Sequence, residues 1–248
     1  MEKLLDEIES YWSTRTEGYS EVNHKELAGT QKNAWLKVLT SQFPDKPKEE
    51  IRILDIGTGP GFFPVILAEA GYHVDAVDYT EGMLEKAKEN AGELCRNIHF
   101  QRMDAQKLEF EDNTFDVVIS RNLTWNLEHP DVAYREWVRV LKVGGKLLNF
   151  DANWYGYLYE EEQRKAYEND RKNVENNSLD DHYLCTDIER MERIALQVPL
   201  SKIRRPEWDV KTLREAGLLG IHTDTEIWKT VWSEEESCLL YTSDAADE

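Results

Sequence analysis

The sequence predicts an α/β chain built on a doubly wound, mainly parallel sheet, and three observations carry that prediction. Short β-branched runs alternate with longer stretches of helical period. The run Phe115-Asp-Val-Val-Ile-Ser120 is almost continuously apolar, as a strand covered on both faces requires. A glycine-rich turn, Gly57-Thr-Gly-Pro-Gly61, lies between a strand pattern and a helix pattern.

Taken in order, residues 2–12 and about 22–40 read as helices. Leu4, Leu5, Ile8 and Trp12, then Leu27, Trp35, Leu36 and Leu39, fall at helical spacings, and Pro44 and Pro47 end the second. Ile51–Ile56 is the first strand, and a helix follows to Ala70 with Pro64 in its first turn, where a missing N–H costs little. His73–Asp78 is the second strand, Thr80 to about Glu93 a helix with Thr80 as its N-cap, and Ile98–Met103 the third strand. After the fourth strand at 115–120, residues 131–141 form a helix ending in Lys142-Val-Gly-Gly145, and Lys146–Asp151 is the fifth strand. Helical connections between successive strands imply parallel pairing. Beyond Asn153-Trp-Tyr-Gly-Tyr-Leu-Tyr159 come a charged helical stretch, Glu160–Lys172, polar residues 173–181 and a helix around 187–196, which together read as an insertion. A helix near Trp208–Ala216 and a sixth strand, Gly220–Trp228, complete the pattern.

Composition narrows the function classes. The chain has 248 residues and a net charge of −19, with hydrophobic residues at 40%, enough for a core despite the charge. A strongly acidic surface repels phosphate backbones and anionic headgroups, so a small-molecule partner is expected, with no nucleic-acid and no membrane footprint. The N-terminus lacks a basic-then-apolar leader pattern, and no apolar run approaches the roughly 18 residues that span a bilayer, which predicts a cytoplasmic protein. Cys95, Cys185 and Cys238 form no CxxC or Cys/His pair, so they read as ordinary thiols and no metal site is expected. The last residues, Cys238–Glu248, resemble a translated transposase adapter of the kind used to prepare sequencing libraries, so the natural sequence is expected to be read only to Ser237. That tail adds Asp244, Asp247 and Glu248 and no Lys or Arg, so the acidity does not depend on it.

The chemistry concentrates at the ends of the first strands. In Asp55-x-Gly57-x-Gly59-x-Gly61 the glycines allow a tight turn and a close backbone approach to a ligand. A dinucleotide fingerprint would need glycine at 62, which is Phe62. Asp78, ending the second strand, is placed to accept two ribose hydroxyls, and Asp104 with Ala105, just after the third, to meet an exocyclic adenine amino group. These residues describe a nucleoside site without phosphate-binding cations.

Five segments, in this order, carry a family resemblance: Ile53-Leu-Asp-Ile-Gly-Thr-Gly-Pro-Gly-Phe-Phe, Val77-Asp-Tyr-Thr-Glu-Gly-Met-Leu-Glu-Lys-Ala, Met103-Asp-Ala, Phe115-Asp-Val-Val-Ile-Ser-Arg-Asn and Arg139-Val-Leu-Lys-Val-Gly-Gly-Lys-Leu. Over about residues 51–151 the chain resembles the class I S-adenosylmethionine-dependent methyltransferases, within them the small-molecule group that includes ubiquinone and menaquinone enzymes. The resemblance implies a Rossmann-like sheet and S-adenosylmethionine as cofactor. It implies that Gly57, Gly59 and Gly61 run under the methionine part, with Asp55 near its amino group, Asp78 on the ribose, Met83 against the adenine, and Asp104 and Ala105 at the adenine edge; Thr58 and Tyr79 are further candidate cofactor contacts, and Asn122, after the fourth strand, a candidate contact facing the methyl-transfer site. The cofactor carries a sulfonium and no phosphate, which suits an acidic site.

On the acceptor side, Tyr19 with Arg15, Trp125, and Asn153, Trp154 and Tyr155 are the candidate contacts, and His129 a candidate base. The expected organisation is a helical lid at 1–44, a cofactor-binding core at 45–151, an acceptor-binding helical insertion at 152–205, the C-terminal part of the core at 206–237 and the adapter-like tail at 238–248, with the family's last strand missing. A non-catalytic cofactor-binding subunit, an NAD(P)-dependent oxidoreductase and an aminocarboxypropyl transferase are the competing readings.

Overall fold

The structure is a computed structural model that describes residues 4–177 and 186–232 of the chain. Five strands, β1 (Ile53–Ile56), β2 (Val74–Asp78), β3 (Ile98–Arg102), β4 (Phe115–Arg121) and β5 (Leu141–Phe150), form one sheet in the order β3-β2-β1-β4-β5. Every neighbouring pair is parallel. The helices are α1 (Leu4–Ala28), α2 (Gln31–Ser41), α3 (Phe62–Glu69), α4 (Glu81–Ala91), α5 (Pro130–Val140), α6 (Glu161–Asn177), α7 (Ile188–Ala195), α8 (Glu207–Glu215) and α9 (Trp228–Val231).

Strand alternation divides the core between the two faces of the sheet. Leu54, Ile56 and Val118 pack with Tyr134 and Trp137 of α5 and Leu213 of α8. Ile53, Val117 and Ile119 pack on the other side with Trp35 and Leu39 of α2, Phe62, Phe63 and Ile66 of α3 and Val231 of α9. A third cluster joins Ile8 and Tyr11 of α1 to Met191 and Ile194 of α7 and to Trp125, Tyr155 and Tyr157, so the insertion holds the N-terminal helix in place. The strand order reverses between β1 and β4, and at such a switch point the chain leaves a crevice beyond the carboxyl ends of the strands.

Four expectations are corrected. The two N-terminal helices are one continuous helix through residue 28, followed by α2 from Gln31. The polar stretch between them is also helical, and its threonine hydroxyls are satisfied within the helix: Thr14 Oγ1 donates to the Tyr11 carbonyl at 2.6 Å and Thr16 Oγ1 to that of Ser13 at 3.0 Å. Residues 220–227 form no strand. Ile221 and Ile227 are drawn into opposite cores, while His222, Thr223, Asp224 and Thr225 between them are exposed, so this stretch has no face to lay against β5. Thr80 makes no side-chain cap on α4; Asp78 accepts its backbone N–H instead, at 2.9 Å. β5 also begins earlier than expected, at Leu141, with an irregularity in its pairing opposite Phe115–Val117. The adapter-like tail and the site of the expected missing last strand lie in 233–248, outside the described residues.

Candidate active site

The crevice at the switch point is a cleft whose walls come from the ends of β1, β2, β3 and β4 and whose roof is α1. From β1 and its turn it takes Gly57 and Gly59, from β2 Asp78, Tyr79 and Thr80, from α4 Met83, from β3 Met103, Asp104 and Ala105, and from β4 Asn122 and Leu123. The left-handed backbone of the turn is what glycine is needed for. Gly57 has φ +70, and a Cβ there would stand 2.7 Å from Leu123 Cδ2. Gly59, at φ +52, turns its N–H to the Asp78 carboxylate at 2.9 Å.

Asp78 thus receives the Gly59 and Thr80 backbone N–H groups, one on each oxygen, with further hydrogen bonds from the Tyr79 N–H and the Thr80 hydroxyl. Burial nevertheless raises its pKa above the ordinary aspartate value. Asp55, 2% exposed at the end of β1, is pushed up to about 7 by burial, with the Asp78 charge adding to the effect. Asp104 accepts the Gln106 backbone N–H at 2.8 Å, so it shapes the turn after β3 as well as facing the cleft.

Other predicted contacts are placed differently. Gly61 does not line the cleft; at φ +91 it starts α3, and a Cβ there would meet Ala87 Cβ of α4 at 3.0 Å, so its role is helix packing. Asp55 and Thr58 lie buried behind the turn, where the Thr58 N–H donates to the Val77 carbonyl at 3.0 Å. His129 is exposed at the start of α5, and its backbone N–H donates to Gln106 Oε1 at 2.7 Å, which anchors a turn and keeps the ring at the surface, away from the strand ends.

A second, larger cavity of about 720 Å³ adjoins the cleft on the β5 side and contains all the acceptor-side candidates: Arg15, Tyr19, Trp125, Asn153, Trp154 and Tyr155. Trp125 and Tyr155 stack at 5.0 Å, and both also belong to the core cluster under α1 and α7. Four residues, Trp12, Tyr19, Arg121 and Asn122, line both spaces and form the throat between them. Asn122 is held left-handed at φ +55, its N–H donating to the Phe150 carbonyl at 2.8 Å, and its side chain hydrogen-bonds the Tyr19 hydroxyl. Burial raises the Tyr19 pKa, so the phenol keeps its proton. Arg121 is paired with buried Glu26 and lies over Trp35 and Phe62, each at 5.1 Å.

On the wall of this larger cavity, Asp151 organises the loops. It accepts the Trp125 N–H at 2.8 Å and pairs with Arg205 at 3.1 Å, and Arg205 in turn binds Asp209 through two contacts of 2.7 Å. Burial works against the Arg205 charge, but Asp151 and Asp209 hold it protonated well above the ordinary arginine value.

The sequence reading missed Glu9, Trp12, Arg121, Asn126, Asp151 and Arg205. The first two had a signal: Leu5, Ile8, Glu9, Trp12 and Tyr19 recur at helical spacing and fall on one face once α1 is continuous. Asn126 contributes a buried amide oxygen without a hydrogen-bond partner to a residue on the cleft wall, which fits a site built to receive a donor group. Among the described residues no group of three His, Cys, Asp or Glu side chains could hold a metal ion, and no helix is long and apolar enough to cross a membrane.

Comparison with known proteins agrees with this geometry. Residues 54–149 match the methyltransferase domain family. A demethylmenaquinone methyltransferase of Clavibacter sepedonicus is 39% identical over 97 residues, 39% of each chain. A ubiquinone biosynthesis O-methyltransferase of Coxiella burnetii is 30% identical over 126 residues, 50% of this chain and 53% of that protein. The chain spans about half the length of the curated relatives it matches. In fold, it is similar to phosphoethanolamine N-methyltransferase 2 of Haemonchus contortus in complex with S-adenosyl-L-methionine, with a TM-score of 0.58 and 24% identity, covering 84% of this chain and 42% of that one. It is also similar to a protein from Methanococcus maripaludis described as an S-adenosyl-L-methionine-dependent methyltransferase, with a TM-score of 0.52 and 24% identity over 73% of this chain and 82% of that one.

Proposed function

We propose that this protein transfers the methyl group of S-adenosylmethionine to a small-molecule acceptor. The observation that carries the reading is the throat: a nucleoside-type cleft and an aromatic-lined cavity meet at Trp12, Tyr19, Arg121 and Asn122. The cofactor, when bound, supplies an electrophilic methyl group on a positively charged sulfur. In this reading Asp78 accepts the ribose hydroxyls, Met83 and Ala105 flank the adenine, Asp104 and Asn126 accept hydrogen bonds at its end of the cleft, and ionised Asp55 balances the ammonium group from behind the turn.

Methyl transfer is an in-line displacement, so the protein's main contribution is to hold the acceptor atom on the axis of the departing sulfur and to exclude water. Tyr19, fixed by Asn122 and packed against Trp12 at 5.6 Å, supports that role, and Trp125, Trp154 and Tyr155 give the acceptor a mostly apolar surface. The oxidoreductase reading is disfavoured because Phe62 fills the position where a dinucleotide fingerprint needs glycine; its ring is buried beneath Arg121.

The test is calorimetric titration of S-adenosylhomocysteine into the wild-type protein and Asp78→Ala, followed by a screen of small-molecule acceptors with methyl-labelled S-adenosylmethionine. Binding that is lost in the variant, with label transferred to an acceptor, supports the reading. Binding without turnover on any acceptor favours a non-catalytic subunit, release of methylthioadenosine favours an aminocarboxypropyl transferase, and no binding by the folded protein overturns the cofactor assignment.

A further inference from the structure

Arg102, the last residue of β3, touches three parts of the cofactor cleft's surroundings without lining the cleft. Its Nε donates to the Tyr79 carbonyl at 2.8 Å, its guanidinium lies 5.0 Å from the centre of the Tyr79 ring, and its Nη2 reaches Glu9 of α1 at 2.7 Å. The neighbouring Met103 N–H holds the Asp78 carbonyl at 3.0 Å, so the last residue of β3 and the one after it pin consecutive carbonyls of the loop that carries the ribose-site carboxylate. Glu9 and Tyr79 both face the cleft, one from the roof and one from the wall.

From this geometry we infer that Arg102 is a positioning residue for the nucleoside half of the cofactor: it fixes the Asp78–Tyr79 loop and draws the roof helix down onto it. The inference rests on the cofactor reading above. An exposed ion pair alone contributes little. Here one guanidinium satisfies a carbonyl, stacks on a ring and meets a carboxylate, and its planar fork makes all three contacts at once. Lysine, a point charge, reaches Glu9 but cannot also hold the Tyr79 carbonyl and stack on its ring. Two further contacts, Lys86 with Glu17 at 2.9 Å and Asn90 with Ser20 at 3.2 Å, seat α1 on α4 farther along, so removing Arg102 loosens the nucleoside end rather than detaching the helix.

The experiment measures calorimetric affinities of S-adenosylhomocysteine and of adenosine, which lacks the amino-acid arm, for the wild-type protein, Arg102→Gln, Arg102→Lys, Glu9→Gln and the Arg102→Gln/Glu9→Gln double variant, with melting curves alongside. Arg135→Gln, which removes an exposed pair with Asp131 within α5, serves as control. Arg102→Gln is expected to weaken both ligands by the same factor, roughly three- to tenfold, with Arg102→Lys intermediate and the Glu9→Gln loss non-additive with it. Unchanged affinity, or a loss confined to S-adenosylhomocysteine, would overturn the inference. If Arg102→Gln does not melt cooperatively, the Arg102→Lys and Glu9→Gln affinities decide on the same criterion. Failure of the wild-type protein to bind S-adenosylhomocysteine would overturn the cofactor reading and this inference together, whereas wild-type binding with no loss in the variants overturns the inference alone.

Discussion

Gly61→Ala separates what the glycine turn does for the fold from what it does for the ligand. Gly61 has φ +91, and a Cβ there would stand 3.0 Å from Ala87 Cβ and 3.2 Å from Ala87 Cα. Placing an L side chain in that left-handed region costs about 1–2 kcal/mol. The clash adds to this, because Ala87 is fully buried on α4 and its backbone cannot give way as a flexible side chain would. Overpacking of this kind costs about 1–3 kcal/mol, for a total near 3 kcal/mol. At about 2–4 °C per kcal/mol for a domain of this size, the variant is expected to melt about 6–12 °C lower by circular dichroism. Because Gly61 does not line the cleft, S-adenosylhomocysteine affinity below the melting range should stay within about twofold of wild type. Gly59→Ala should behave the opposite way. Its Cβ would make only an ordinary 3.5 Å contact with Tyr19, so it is destabilised by strain alone, yet it places a methyl group on the cleft wall beside the N–H that orients Asp78. Gly61→Ala melting within about 0.5 kcal/mol of wild type would refute the packing argument. Equal affinity losses in the two variants would refute the separation of roles.

Three further outcomes are expected. Arg205→Gln strands Asp151 and Asp209 in a buried environment and should lower stability to urea by about 3–5 kcal/mol; a change under about 1 kcal/mol would show that the network carries little. Asp55 is pushed up to about 7 by burial, and under the proposed function its ionised form would attract the cofactor's ammonium. S-adenosylhomocysteine should therefore bind more tightly as pH rises from 6 to 8, and Asp55→Asn should flatten that dependence in calorimetry; a flat wild-type profile would count against it. Asp116 is held down to about 2: burial pushes it up, but hydrogen bonds from Lys142, Lys46 and the Arg52 N–H outweigh that. Since the folded-state pKa lies below the unfolded one, this group contributes on the order of 2 kcal/mol above pH 4, lost as pH falls toward 2. Asp116→Asn should reduce the stability difference between pH 7 and pH 3, measured by denaturant titration.

Much of the core was legible because its signals are local. A strand buried on both faces must be apolar throughout, so β4 declared itself, and a turn that needs left-handed backbone must use glycine, so Gly57 and Gly59 could be placed before any coordinates. Asp78, Asp104, Ala105 and Asn122 reach the cleft wall because the ends of parallel strands converge on one edge of the sheet, and Met83 joins them from the first turn of the helix that follows β2. The residues that sequence spacing misplaced depend on partners far along the chain. Gly61 answers to Ala87, 26 residues on.

By itself, then, the sequence determined the alternation of strands and helices, the parallel pairing that short helical crossovers enforce, and the position of a cleft at the strand ends. All three follow from periodicity and backbone sterics acting within a few residues. Only the tertiary structure decided that α1 runs unbroken and roofs the cleft, that Arg102 ties that roof to the Asp78 loop, that residues 220–227 stay out of the sheet, and that Arg205 joins Asp151 to Asp209. Those outcomes turn on contacts between segments far apart in the chain, 93 residues for Arg102 and Glu9, and on which apolar surface wins a buried face. No local pattern in the chain encodes that competition.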